Sequence, residues 1–101
     1  DYQLKNMTAK EVELAIAEGT PLNILDVREV GEVAAGKIPG AVNIPLGLLE
    51  FRMNELDKSK EYIMVCLSGG RSGSASQFLE SHGYNVINMA GGMYNWEGNV
   101  E

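Results

Sequence analysis

Tyr62-Ile63-Met64-Val65-Cys66-Leu67-Ser68-Gly69-Gly70-Arg71-Ser72 is the stretch from which the rest of the chain is read. Tyr62 to Val65 is a short apolar run of β-branched and aromatic character, as in a buried strand. It leads into Cys66, the only cysteine of the chain. The sequence then turns polar and glycine-rich, and a helical pattern runs from about Gly73 to Ser81. Strand, cysteine, glycine-rich turn and helix, in that order, place a thiol at a helix N-terminus, where unpaired backbone N–H groups favour negative charge. A free thiol titrates near ~8.5, and such surroundings lower that value. Gly69 and Gly70 suit a turn in which successive amides face inward. A lone cysteine ending an apolar strand is as readily a buried hydrophobe as a nucleophile. A core cysteine, however, does not require an amide-rich, cationic loop, so Cys66 is read as a nucleophile.

The remaining composition narrows the function classes. At 101 residues, 45% hydrophobic and 22% charged, the chain has the make-up of an ordinary globular domain. A domain of that size buries roughly 60–70% of its unfolded surface. A net charge of −6 argues against nucleic acid or an anionic membrane as partner. With one Cys and one His, the usual zinc ligand sets and an internal disulfide are excluded. A free thiol fits a reducing compartment, so a cytoplasmic location is expected, and no signal peptide or membrane span is read. The chain begins at Asp1 without an initiating Met and reads as a trimmed or excised piece.

Along the chain, Thr8-Ala9-Lys10-Glu11 forms a capping box that starts a helix carrying Val12, Ala15 and Ile16 on one face and stopping at Gly19. Leu22 to Val27 reads as a buried strand ending in Asp26-Val27-Arg28-Glu29. Asp26 and Arg28 lie where α/β sheets place their sites, and equally where an ion pair would anchor a loop. A short helix over 29–35 ends at Gly36. Pro39-Gly40 makes a turn, Ala41 to Ile44 a short strand, and Pro45 a stop. Leu46 to Asn54 reads as an amphipathic helix burying Leu48, Leu49, Phe51 and Met53. After the central loop, the helix turns Ala75, Phe78 and Leu79 inward, and His82-Gly83 closes it. Val86 to Met89 is a further strand. Trp96 reads as core or rim packing, with a wall of the cysteine pocket as the alternative. Strands near 22–27, 41–44, 62–66 and 86–89 alternating with helices near 8–18, 29–35, 46–54 and 73–81 predict an α/β fold with a mainly parallel sheet.

In this arrangement the chain resembles the rhodanese-like domain in its single-domain form, over nearly all of 1–101. The resemblance is carried by Ile24-Leu25-Asp26-Val27-Arg28-Glu29, by Gly36-Lys37-Ile38-Pro39-Gly40-Ala41-Val42-Asn43-Ile44-Pro45, by Cys66-Leu67-Ser68-Gly69-Gly70-Arg71-Ser72 and by Gly91-Gly92-Met93 with Trp96. It implies a five-stranded, mainly parallel sheet flanked by helices on both faces. It also implies sulfur transfer through a persulfide on Cys66, with Leu67, Ser68, Gly69, Gly70, Arg71 and Ser72 as the cradle and Asp26 and Arg28 in support. The implied partners are a small sulfur donor, a thiol or cyanide acceptor, and a partner protein as a further candidate; no metal or organic cofactor is implied. The family often has His where Lys37 stands, a position associated with the turn rather than with catalysis.

Two rival readings have different signatures. A phosphatase or arsenate reductase separates its cysteine and arginine by five residues, whereas Leu67 to Gly70 makes four, a narrower ring of amides suited to one sulfur atom. A binding module that has kept the fold without the activity would have lost the cysteine, which is present here; a sulfur-relay module within a larger protein stays compatible. Leu67-Ser68 offers no cation where a thiosulfate dianion would profit from one, and Arg71 is placed to turn back onto Glu29 or Glu32. Thiosulfate is therefore expected to serve less well than a less charged persulfide.

Overall fold

The computed structural model describes residues 5–101. Its strands are β1 (Asn6–Thr8), β2 (Asn23–Asp26), β3 (Val42–Asn43), β4 (Glu61–Val65) and β5 (Asn85–Ala90). Its α-helices are α1 (Ala9–Ala17), α2 (Val30–Ala34), α3 (Leu49–Arg52) and α4 (Gly70–Ser81), with 3-10 turns at Leu46–Leu48, Met53–Glu55 and Gly92–Asn95. The sheet order is β1-β5-β4-β2-β3, and every pairing is parallel.

β4 is the central strand, and its alternation divides the core in two. Met64 and Cys66 face a cluster with Leu25, Val27, Ile44, Leu49, Ala75 and Leu79, which α3 and α4 cover. Ile63 and Val65 face the opposite cluster with Ala9, Val12, Ile24, Ile38 and Met89, which α1 and Trp96 cover. A strand buried on both faces reads as a continuous apolar run, as Ile63-Met64-Val65 does. Because all strands run the same way, their carboxyl ends form one edge, and Cys66 lies just beyond the end of β4.

At that same edge a buried ion pair closes the loop after β2. The Asp26 carboxylate accepts from Arg28 Nε at 3.0 and 3.1 Å, from Nη2 at 2.8 Å and from the Arg28 backbone N–H at 3.0 Å. Arg28 Nη2 also donates to Gly36 O at 2.8 Å, which ties in the end of the α2 segment. The Asn43 side chain donates to Asp26 O and Arg28 O at 2.9 and 3.0 Å. These contacts bind β2, α2 and β3 into one rim. The turn that follows is fixed from the far end of the chain: Lys37 Nζ pairs with the Glu101 carboxylate at 2.7 Å, and Gly40 N–H donates to it at 2.9 Å.

Several elements differ from the sequence reading. The residues themselves pointed to four strands; the fifth, β1, is a three-residue edge strand with one apolar residue, Met7, too short for its alternation to be read. Strand 41–44 shortens to Val42–Asn43, because Pro45 and the turn leave only two ladder positions. α4 starts at Gly70 rather than Gly73, so Gly70, Arg71 and Ser72 belong to its first turn. The segment 46–54 is three short helical pieces instead of one helix. Each piece resets the facing direction, which leaves Phe51 81% and Leu48 46% exposed while Leu49 is buried. In α1, the capping box forms as read, with Thr8 N–H to Glu11 at 2.9 Å and Glu11 N–H to Thr8 Oγ1 at 3.1 Å. Ile16, expected inward, is exposed, because the inner stripe of this short helix ends after Val12. No helix among the described residues is long and apolar enough to cross a membrane.

Candidate active site

Cys66 has no exposed surface, and its Sγ accepts a hydrogen bond from Gly69 N–H at 2.9 Å. Burial pushes the thiol up, but the Ser72 hydroxyl and the backbone N–H groups of Ser72, Gly69 and Ser68 more than offset it. Together they hold Cys66 below the ordinary thiol range. Hydrogen bonds to an ionised acceptor contribute about 1.5–3 kcal/mol each, so several of them outweigh a partial loss of solvent. The sulfur thus sits in a pocket of donors that favours an anion.

The amides converge because their carbonyls are occupied elsewhere. Met93 N–H donates to Cys66 O at 2.8 Å and Tyr94 N–H to Leu67 O at 2.9 Å. In a trans peptide the C=O and N–H point oppositely. Docking Leu67 O on Tyr94 therefore turns Ser68 N–H the other way, toward the sulfur. The contact requires Gly92: a Cβ there would lie 2.5 Å from Cys66 O and 2.6 Å from Leu67 O. At the other end of the loop, Gly69 caps α4 with φ +103°, a conformation that lets the next amides face back into the pocket.

Arg71 does not reach into this pocket as a free cation. Its two terminal nitrogens clamp the Glu32 carboxylate at 2.6 and 2.9 Å, one of the two anchors anticipated from the sequence. That hydrogen-bonded fork holds Glu32 well below its usual carboxylate value, down to about 2, with the Glu29 backbone N–H helping. The same fork raises Arg71 further, and the charges of Cys66 and Glu29 add to it. The pair ties α2 to the first turn of α4.

Leu67, Ser68 and Gly69 form the loop between strand and helix, and Gly70, Arg71 and Ser72 the first helical turn. All six lie around Cys66 or at its rim, with Ser68 and Gly70 exposed and Ser72 buried. Asp26 and Arg28 satisfy each other and stand apart from the sulfur, on the neighbouring strand end. Trp96 packs with the α1-side cluster, and its indole lines an apolar groove of about 460 Å³ with Leu14, Ala17 and Pro39. None of the cradle residues lines that groove, and Trp96 packs against the core cluster opposite the one that holds Cys66. Sequence reasoning missed Met93, Tyr94 and Asn88 as partners of the loop. The Gly91-Gly92 pair was the one available signal for the first two.

The Rhodanese-like domain family model matches residues 8–99. The Bacillus subtilis protein named "Putative sulfurtransferase YtwF" is 38% identical over 99 residues, covering 98% of this chain and 96% of that protein. The B. subtilis "Putative sulfur carrier protein YrkF" is 47% identical over 81 residues, covering 79% of this chain but only 44% of that protein. The crystal structure of a rhodanese-like domain protein from Staphylococcus aureus superposes with a TM-score of 0.92 at 34% identity, covering 97% of each chain.

Two predictions come from this geometry. Gly92→Ala forces the loop carbonyls away from Met93 and Tyr94, so the pH profile of Cys66 alkylation moves to higher pH; an unmoved profile would show that the docking does not orient the amides. The second concerns Glu32. Its folded pKa lies below the ordinary 4.5, so the Arg71 pair stabilises the fold above about pH 4.5 and loses this contribution as pH falls toward 2. Urea unfolding of native protein and Glu32→Gln across that window should show native protein losing its advantage as pH drops, by a modest, salt-dependent amount because both side chains are about a third exposed. A constant difference would contradict the pairing.

Proposed function

This chain belongs to the rhodanese-like domain family, and on that premise we propose that it is a sulfurtransferase working through a persulfide on Cys66. The carrying observation is the donor-lined pocket, with Gly69 N–H at 2.9 Å from Sγ and the amides of Ser68 and Ser72 beside it. The thiol first loses its proton to solvent. The Cys66 thiolate then attacks the outer sulfur of a sulfane donor; the new S–S bond forms as the donor's own bond to that sulfur breaks. With thiosulfate, sulfite leaves with the bonding pair. The resulting terminal sulfur is anionic and lies within reach of the same amides. A thiol or cyanide acceptor attacks it next, and the Cys66 thiolate is regenerated. This is covalent catalysis in two displacements, and the nucleophile needs no general base once ionised.

Cys66 has no exposed surface, and Leu67 and Ser68 follow it directly as the partly exposed rim of the loop. That rim bears on donor choice. Ser68 and Leu67 are neutral, and Arg71, the cation of the cradle, is already clamped by Glu32. A dianion therefore meets amides but no unengaged loop guanidinium. This favours a less charged persulfide over thiosulfate, on a small molecule or on a partner protein. The similarity to a protein named for sulfur carriage, of which this chain spans less than half, supports the relay version.

Steady-state kinetics with cyanide as acceptor test the reading, using thiosulfate and glutathione persulfide as donors. Parallel double-reciprocal lines, a higher KM for thiosulfate and no turnover by folded Cys66→Ser are expected. Turnover in that variant, or intersecting lines with both donors, would overturn the double-displacement mechanism.

A further inference from the structure

Ser72 is fully buried at the start of α4, and its hydroxyl has a single proton to give. That hydroxyl approaches at 3.3 Å the carbonyl of Gly69, the residue whose N–H holds Cys66 Sγ at 2.9 Å, is among the groups that lower the thiol, and makes a short hydrogen bond to Asn88 Oδ1 on β5. Asn88 is itself buried, 6% exposed. Its backbone N–H donates to Lys5 O at 2.9 Å, which fixes the strand, and its Nδ2 donates to Asn6 Oδ1 at 3.3 Å, which fixes the amide. The carbonyl end of Asn88 is thereby directed at Ser72.

We propose that Asn88 is a positioning residue for the sulfur site: its Oδ1 holds the Ser72 hydroxyl beside Cys66 and competes with the sulfur for that hydroxyl's one proton. When the sulfur is neutral, the proton rests on Asn88. When a thiolate or persulfide anion forms, the hydroxyl rotates and donates to it, because a hydrogen bond to a charged acceptor is the stronger one. Asn88 thus sets how much of the Ser72 hydrogen bond the anion receives, and so tunes thiolate content from a strand that does not touch the donor. Among the charged groups of the surrounding elements, Arg71 of α4 feels the charge of Cys66, Glu32 and Glu29 at α2 act on Arg71, and the Asp26–Arg28 pair after β2 stands apart. Lys5 is turned to Glu61, and β1 and β5 bring no titratable side chain. Arg71 and Arg28 are each paired, so the Ser72 proton is the adjustable contact in the set.

The proposal rests on Cys66 as the reacting group, but its test does not need sulfur transfer. The rate of alkylation by iodoacetamide is measured against pH for native protein, Asn88→Leu, Ser72→Ala and the double variant. Asn88→Val is carried alongside in case the leucine variant does not fold. Removing the competing acceptor should lower the apparent thiol pKa, raising the alkylation rate below it by about three- to tenfold. On the Ser72→Ala background the same substitution should leave the profile in place, since Asn88 acts through that hydroxyl. An unmoved profile with Ser72 present, a shift to higher pH, or equal shifts on both backgrounds would overturn the assignment. Native protein that gives the alkylation pattern but transfers no sulfur would instead count against the sulfurtransferase reading.

Discussion

Two backbone hydrogen bonds govern the site: Met93 N–H to Cys66 O and Tyr94 N–H to Leu67 O. Through peptide planarity they determine where the loop amides point, and so whether the sulfur faces donors or acceptors. A side chain could offer charge at such a place, but a charge on a flexible stem costs entropy to hold still. Amides fixed by their own carbonyls are already oriented when negative charge develops. The small size of Gly92 permits the approach, and the Gly92–Asn95 turn supports the Cys66 loop without contributing a side chain to it.

The ion pairs have a complementary role. Arg71 is spent on Glu32 and Arg28 on Asp26, which leaves the cations of this edge structural. Breaking the buried Asp26–Arg28 pair would strand a charge at a cost of about 3–5 kcal/mol, so its worth lies in fixing the rim. On the proposed function, this acidic chain would hold its anionic intermediate mainly with dipoles. That division fits a sulfur carrier better than a site built around a phosphate dianion, and the four-residue spacing from Cys66 to Arg71 agrees with it.

The sequence made the architecture legible where apolar runs and turn residues coincide. Ile63-Met64-Val65, the Thr8–Glu11 capping box and the Pro39-Gly40 turn each carry a local cause that survives into the fold. It was silent where the cause is remote. β1 is a three-residue edge strand held by its ladder to β5 and by Met7 against the core, too little for the sequence to show. The start of α4 at Gly70 is dictated by Gly69 and the docked loop, against the low helix propensity of glycine. Phe51 is exposed because helical periodicity presumes one continuous helix, and the segment breaks twice. At the site, Cys66 and its loop declared themselves through residue type and spacing. Asn88 lies 16 residues from Ser72 in an unremarkable strand, and only the parallel pairing of β5 beside β4 brings it there.

The most direct measurement is the intact mass of the protein after incubation with a sulfane donor and removal of excess reagent, followed by peptide mapping. The account predicts a gain of one sulfur atom, located on the peptide containing Cys66 and discharged by cyanide or a thiol. No added sulfur from thiosulfate or from a persulfide, or a sulfur found on a peptide without Cys66, would contradict it.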